Sequence, residues 1–251
     1  MRTVILCGGR GTRAYPSTLD VPKPLLEVGG QPVLSHLMAI YASQGFTDFV
    51  LAAGYLADRI EAFADGLPEA WTVEVVDTGE ATNTGGRVRR VADRVGEQFF
   101  LTYADGLGNV DLAALLAFHR SHPGAATLTT VPLPSQYGTL HVDAAGRVHG
   151  FLEKPRLPDH PINAGFFVLD RRAFDLWPDP GEDLERDVLP ALGEADELFA
   201  FDHRGFWKSM DTYKDAVDLG ALCADGPGPW LDEPGRAVPG PQRPPAPASS
   251  A

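Results

Sequence analysis

Apolar residues along this chain follow two alternating patterns. Runs of strand length recur at Thr3–Cys7, Phe49–Ala53, Val73–Val76, Phe99–Tyr103 and Thr127–Val131. Between them lie stretches with a helical repeat. Over Gln31–Gln44, the residues Val33, Leu34, Leu37, Met38 and Tyr41 share one stripe, with Pro32 in the first turn, where its missing N–H costs nothing. Asp111–His122 carries Leu112, Leu115, Leu116 and His119 likewise, and Asp111 is placed to cap it. A further helix is expected near Ile60–Ala64. Strands alternating with helices of this length predict an open, mostly parallel α/β sheet.

The rhythm changes after about residue 135. Short strands at Thr139–Val142, Val148–Glu153 and Gly165–Leu169, with a turn at Ala144-Ala145-Gly146, predict antiparallel ribbons over the sheet's carboxyl edge. Helical patterns follow at Leu184–Leu192 and Thr212–Ala224. From Asp225 onward Pro, Gly and Ala dominate, and Gly235–Ala251 has too few apolar side chains to bury a core. The reading is one domain over residues 1–231 and a disordered Pro/Ala/Gly-rich tail over 232–251.

The segment after the first strand carries the candidate chemistry. In LCGGRGTRAYPSTLDVPKPL, Gly8, Gly9 and Gly11 leave backbone N–H groups uncovered, and Arg13 and Lys23 add fixed positive charge. A strand, a bare loop and two cations suit a polyphosphate. Gly9-Arg10-Gly11-Thr12-Arg13-Ala14 also fits a permissive dinucleotide pattern. That site must open into a helix, and Pro16, Pro22 and Pro24 forbid one. A Walker loop needs a closing Gly-Lys-Ser/Thr, which is missing. A plain turn without ligand leaves the two cations unexplained.

Charge narrows the partners. The chain has 251 residues, 44% of them hydrophobic, and a formal net charge of −13. That surplus disfavours nucleic acid and anionic membrane, which are bound by excess Lys and Arg. No apolar run has transmembrane length, and no signal peptide is visible, so a cytoplasmic protein is expected. Cys7 and Cys223 lack metal-ligand spacing, and Cys7 reads as core filler. His119 and His122, three apart on a helix, read as stripe filler before metal ligands. Trp71, Trp177 and Trp230 read as packing residues, with Trp207 a candidate border of the site.

GGRGTR followed by PKPLLEVGGQPVLSH resembles the signature of the sugar-1-phosphate nucleotidyltransferases. The match continues in order through VDTG (Val76–Gly79), TGGRVRRV (Thr84–Val91), TYADG (Thr102–Gly106), EKP (Glu153–Pro155), NAGFFVL (Asn163–Leu169) and GFWKSMDT (Gly205–Thr212). Its wording resembles the glucose-1-phosphate cytidylyltransferases in particular. The resemblance implies a Rossmann-like open mixed sheet with helices on both faces and a small antiparallel sugar-binding portion. It implies CTP and a sugar 1-phosphate as substrates, with Mg²⁺ as cofactor. It places Arg13, Lys23 and Asp105 in catalysis and Asp105 and Asp211 on the metal, although a lone Asp at 211 would otherwise read as a helix N-cap. For the nucleotide it points to Leu6, Gly8, Gly9, Gly11, Thr12, Arg13, Lys23, Thr84, Gly85, Arg87 and Tyr103. Gly85 and Gly86 are read as room for a flat base. For the sugar phosphate it points to Glu153, Lys154, Asn163 and Gly165, although Glu153-Lys154 also reads as a solvated hairpin pair.

Three departures qualify the resemblance. The segment before Trp71 is shorter than the family's, where a longer one helps subunits associate, so a homo-oligomer stays open. Ala104 stands where GDG is common, and Leu25 and Ala164 replace the commonest Met and Gly. Ala164 reshapes the expected sugar pocket, which leaves the sugar open, as the residues alone leave CTP against UTP.

Overall fold

The computed structural model describes residues 1–236. Its strands are β1 (Thr3–Leu6), β2 (Glu27–Val28), β3 (Gln31–Pro32), β4 (Asp48–Ala53), β5 (Thr72–Asp77), β6 (Gln98–Tyr103), β7 (Gly106–Gly108), β8 (Ala126–Pro134), β9 (Thr139–Val142), β10 (Val148–Leu152), β11 (Arg156–Asp170), β12 (Leu198–Asp202) and β13 (Trp207–Ser209). The α-helices are α1 (Val33–Ser43), α2 (Ala57–Ala64), α3 (Thr84–Arg90), α4 (Leu112–Arg120), α5 (Leu189–Glu194) and α6 (Tyr213–Ala221).

Seven strands form one sheet in the order β12-β8-β11-β6-β1-β4-β5. The strand β11 runs antiparallel to both neighbours, and the other pairs are parallel. Alternation along each strand explains why both faces are covered. In β1 and just beyond it, Ile5 and Cys7 enter one core with Leu34 and Leu37 of α1 and Leu112 of α4. Val4 and Leu6 enter the other with Val88 of α3 and Leu192 of α5. A strand buried on both faces reads as an unbroken apolar run, which is the pattern of Thr3–Cys7.

Local chemistry sets the element ends. The Asp111 carboxylate accepts from the Ala114 N–H, so it caps α4 as expected. Pro32 does not enter the first turn of α1. It ends β3 in an extended conformation (φ −53°, ψ 139°) as the residue preceding the helix. Gly165–Leu169 does not belong to a ribbon over the edge either. It is the second half of β11, inside the main sheet, where Phe166 opposes Thr102 of β6. The helical pattern at Leu184–Leu192 divides into a π-helical turn, Leu184–Val188, and α5.

The ribbon that does leave the carboxyl edge is β9–β10. It is a two-stranded antiparallel pair between β8 and β11, with Leu140 and Phe151 exposed. The link from α2 to β5 spans only residues 65–71. Past 231 the chain remains bonded to the domain, because Asn109 donates to the Glu233 and Arg236 carbonyls. Residues 237–251 of the expected tail lie outside the described residues. No helix among the described residues is long and apolar enough to cross a membrane.

Candidate active site

Chain order reverses between β1 and β6: from β1 the sheet runs to β4 and β5 on one side and returns to β6 on the other. Open α/β sheets bind ligands at the carboxyl ends of such a switch point. A cleft of about 570 Å³ opens there, and the glycine loop, Lys23, Asp105 and Asp211 are among its walls.

Two carboxylates meet in this cleft because of a small ribbon. Asp105 follows β6, and Asp211 precedes α6. The strands β7 and β13 pair antiparallel with Gly106 opposite Ser209, and the Met210 N–H donates to the Asp105 carbonyl at 2.8 Å. Asp211 is not the N-cap of α6. Thr212 takes that place in a capping box with Asp215, which leaves the Asp211 carboxylate for other partners. Lys23 Nζ lies 2.5 Å from Asp105 Oδ2 and 3.3 Å from Asp211 Oδ1. Arg13 Nη2 lies 2.9 Å from the same Asp211 oxygen, and Ser209 Oγ donates to the other at 3.0 Å.

Lys23 is aimed by its surroundings. It begins a tight turn between Pro22 and Pro24 and is largely buried. Gly11 lies against it at φ +60°, and a Cβ there would stand 2.7 Å from Lys23 Cβ. Gly11 is therefore required both by backbone conformation and by close approach.

The donor set suits a small hard cation. Two carboxylates face one point, now spanned by an ammonium, and no His or Cys joins them. Among the described residues no group of three or more His, Cys, Asp or Glu is arranged to hold a metal ion. The remaining ligands would come from phosphate oxygens and water, the usual arrangement for Mg²⁺.

Several expected site residues are placed differently. Arg87 is buried beneath the loop, and its guanidinium donates to the carbonyls of Gly8, Ala53, Gly79 and Glu80 and to Thr78 Oγ1. Burial holds its pKa below the usual arginine value. It borders the cleft, as a nucleotide contact would, while these hydrogen bonds from Nη1 and Nη2 go to the protein. Gly85 does not make room for a base. A Cβ there would meet the Gly181 carbonyl at 2.5 Å, so the glycine admits the 181–184 segment against α3. Gly165, at φ +81°, admits the Tyr103 ring, which a Cβ would approach to 2.4 Å. Thr12 opens the turn Thr12–Ala14 and is exposed outside the cleft walls. Glu153 and Lys154 are exposed beyond β10, with their charges 3.8 Å apart. The structure does not bring them to the cleft; they form the solvated pair of the alternative reading. Leu6, Gly8, Gly9, Thr84, Tyr103 and Asn163 do line it.

Glu185 was not legible as a site residue. It lines the cleft from the π-helical turn and accepts from Thr84 Oγ1 at 2.8 Å and from Tyr103 Oη. Burial first and Glu185 second push the Tyr103 phenol far above its ordinary pKa. Trp207 and Ser209 also line the cleft, and Trp207 Nε1 donates to the Ala164 carbonyl at 2.8 Å. Cys7, at the cleft's floor, is fully buried, and burial raises its thiol pKa. The ring nitrogens of His119 are taken by Thr127 and Asp170.

Comparison with known proteins identifies the relatives of the chain. The profile of the family described as nucleotidyl transferase matches residues 2–225. The chain is 39% identical to the glucose-1-phosphate cytidylyltransferase of Salmonella typhi, covering 92% of this chain and 98% of that one. It is 36% identical to the mannose-1-phosphate guanylyltransferase of Mycobacterium tuberculosis, covering 85% of this chain and 62% of that one. Among solved structures it resembles HddC from Yersinia pseudotuberculosis complexed with GMP-PN, with a TM-score of 0.69 and 24% identity, covering 88% and 98% of the two chains. That last likeness supports the fold alone.

Proposed function

The chain belongs to the nucleotidyl transferase family, and from that premise we propose that it transfers a cytidylyl group from CTP to a sugar 1-phosphate, with α-D-glucose 1-phosphate as the first substrate to test. Enzymes of this family act on a nucleotide and a sugar phosphate and generally use a divalent metal. The observation that carries the proposal is the convergence of Lys23 and Arg13 on Asp105 and Asp211 at the β1/β6 switch point. The 39% identity to a cytidylyltransferase over nearly both chains supports the choice of base.

In the reaction, a phosphate oxygen of the sugar 1-phosphate attacks the α-phosphorus of CTP. The new P–O bond forms as the bond to the β-phosphate oxygen breaks, giving CDP-sugar and pyrophosphate. The nucleophile is already an anion near neutral pH, so no base is required. The protein's work is to hold two anions in line. Arg13, more than half exposed at the cleft mouth, offers a planar fork to the departing pyrophosphate. Lys23, held by its two prolines and Gly11, neutralises charge at the α-phosphate. Gly8, Gly9 and Gly11 lay their backbone along the phosphates, while Leu6, Thr84 and Tyr103 border the nucleoside. Asn163 faces the sugar side, and Trp207 borders it. Asp105 and Asp211 would hold Mg²⁺, which when bound supplies positive charge to the phosphate oxygens.

A second reading keeps the reaction and changes the substrates, and the similarity to a guanylyltransferase favours keeping it in view. Pyrophosphate release across CTP, UTP, GTP and dTTP against a panel of sugar 1-phosphates decides. The expected result is release that needs CTP, a sugar phosphate and Mg²⁺ together. Release with another triphosphate would replace the base. Binding without release in every combination would make the protein a nucleotide-sugar sensor.

A further inference from the structure

Among the described residues, Arg87 is the one buried cation whose charge the proposed chemistry leaves unused. Its acceptors are four backbone carbonyls and one hydroxyl, none of them a carboxylate. They come from three places. Gly8 follows β1, Ala53 ends β4, and Thr78, Gly79 and Glu80 follow β5. One planar fork thus ties together three parallel strand ends at the floor of the cleft.

Two glycines exist to admit it. A Cβ on Gly8 would stand 2.1 Å from Arg87 Nη1, and one on Gly54 would stand 2.2 Å from the same atom. Neither glycine has a positive φ, so space and not backbone conformation requires them. Gly54 and Thr78 are not among the cleft walls.

The consequence lies in the Gly8–Gly9 peptide. The Gly8 carbonyl accepts from Arg87 Nη2 at 2.8 Å and from the Tyr55 N–H at 3.0 Å, which turns it toward the protein. In a planar trans peptide the N–H points opposite to the carbonyl. The Gly9 N–H is thereby turned away from Arg87. Gly9 itself lines the cleft, and a Cβ on it would have no atom within 4 Å. We infer that Arg87 is a positioning residue that aims the Gly9 N–H at the nucleotide and holds the glycine loop in its binding shape before the ligand arrives. The inference rests on the nucleotide site proposed above. It adds that affinity for the nucleotide is controlled from beneath the loop by residues the ligand does not touch.

The test perturbs Arg87 from outside the cleft. Thr78→Val removes one acceptor at nearly constant shape, Gly54→Ala pushes the guanidinium aside, and Arg87→Lys keeps charge without the fork. CTP binding to the intact protein is measured by calorimetry without sugar phosphate, alongside melting temperature and the KM and kcat for CTP. Each variant is expected to bind CTP about tenfold more weakly, as loss of one charge-assisted bond allows. Thr78→Val should raise KM while leaving kcat within about twofold, and the Thr78→Val/Arg87→Lys pair should bind little worse than Arg87→Lys alone. If Gly54→Ala fails to fold, Thr78→Val carries the test.

Native CTP affinity in Thr78→Val and Gly54→Ala, with a loss in Arg87→Lys alone, would overturn the inference in favour of direct contact. Lower melting temperatures with native CTP affinity throughout would reduce Arg87 to a structural brace. A native protein that prefers another triphosphate changes the base only, and the same variants are then read with that nucleotide. A native protein that binds no triphosphate removes the site and this inference together.

Discussion

On the nucleotide side of the cleft, the ends of β1, β4 and β5 are joined by buried hydrogen bonds to Arg87, and the glycines there are fitted to named side chains. On the sugar side, β9 and β10 stand away from the domain with Leu140, Phe151, Glu153 and Lys154 exposed, and Asn163, Ala164 and Trp207 reach the cleft. The first side is held by the protein's own contacts. The second presents part of a site. Electrostatics explains the asymmetry. A triphosphate carries several charges that must be met in a partly desolvated place, so its cations need fixed supports, each of them costly to bury unpaired. The hydroxyls of a sugar phosphate are neutral, and the protein groups that meet them are satisfied by water until the substrate binds, so those partners stay exposed at little cost.

The two sides meet at the charged centre of the cleft. Asp105→Asn keeps the shape and removes the carboxylate that Lys23 contacts, and pyrophosphate release is expected to fall about a hundredfold, roughly 3 kcal/mol of transition-state stabilisation. Near-native turnover would remove Asp105 from the metal and phosphate chemistry. Lys154→Ala, on the exposed side, is the control: a loss of CTP affinity there would show that the two sides are not separate.

Two glycines sharpen the same contrast within the loop. Gly11→Ala meets both a positive φ and the Lys23 side chain. It is expected to cost about 1–3 kcal/mol of stability by thermal unfolding, with weaker nucleotide binding because Lys23 is displaced. Gly9→Ala meets nothing, so stability should change by less than about 0.5 kcal/mol. If the nucleotide crosses Gly9, that silent substitution still weakens CTP binding. Native affinity in Gly9→Ala would place the phosphates elsewhere.

The same asymmetry governed what could be read from the chain. Local features were legible: the apolar runs of β1, β4 and β6, the Asp111 cap and the prolines around Lys23 each depend on a few neighbouring residues. Long-range approaches were not. Gly85 looks like room for a ligand until the 181–184 segment is seen against it, and nothing near Gly85 in sequence announces that segment. The pairing of Asp105 with Asp211 rests on β7 and β13, three-residue strands too short to carry a periodic signal. Glu185, in a polar helical turn, has the pattern of a solvated face and enters the cleft only through contacts with Tyr103 and Thr84. Lys154 was placed by the wording of a motif, and wording fixes order along the chain without fixing which way an exposed ribbon points.

The smallest expected effect concerns how the sugar side is rooted. Its strands β8 and β11 are joined to α4 by a directed hydrogen-bond chain. The Gly124 N–H donates to His122 Nδ1, which leaves His122 Nε2–H to donate to Thr127 Oγ1 at 2.8 Å. Thr127 then donates to His119 Nδ1 at 2.9 Å, and His119 Nε2–H faces Asp170 Oδ1 at 3.2 Å. A proton added at His122 Nδ1 would face the Gly124 N–H. Burial, and then the neighbouring His119, hold the His122 pKa below its ordinary value. Burial also lowers that of His203, whose backbone N–H donates to the Thr130 carbonyl of β8 and whose ring Nε2 faces the Phe206 carbonyl. Both histidines take up a proton more readily in the unfolded chain, so stability is fully present above about pH 6.5 and declines as pH falls below it. Among the described residues no histidine lines the cleft on the β1–β4–β5 side. Hydrogen exchange at pH 7.5 and 5.5 is therefore expected to show amides of β8 and β12 losing protection before those of β1 and β4. Equal loss across the sheet would mean that the two sides unfold as one unit, and that their difference is confined to the cleft surface.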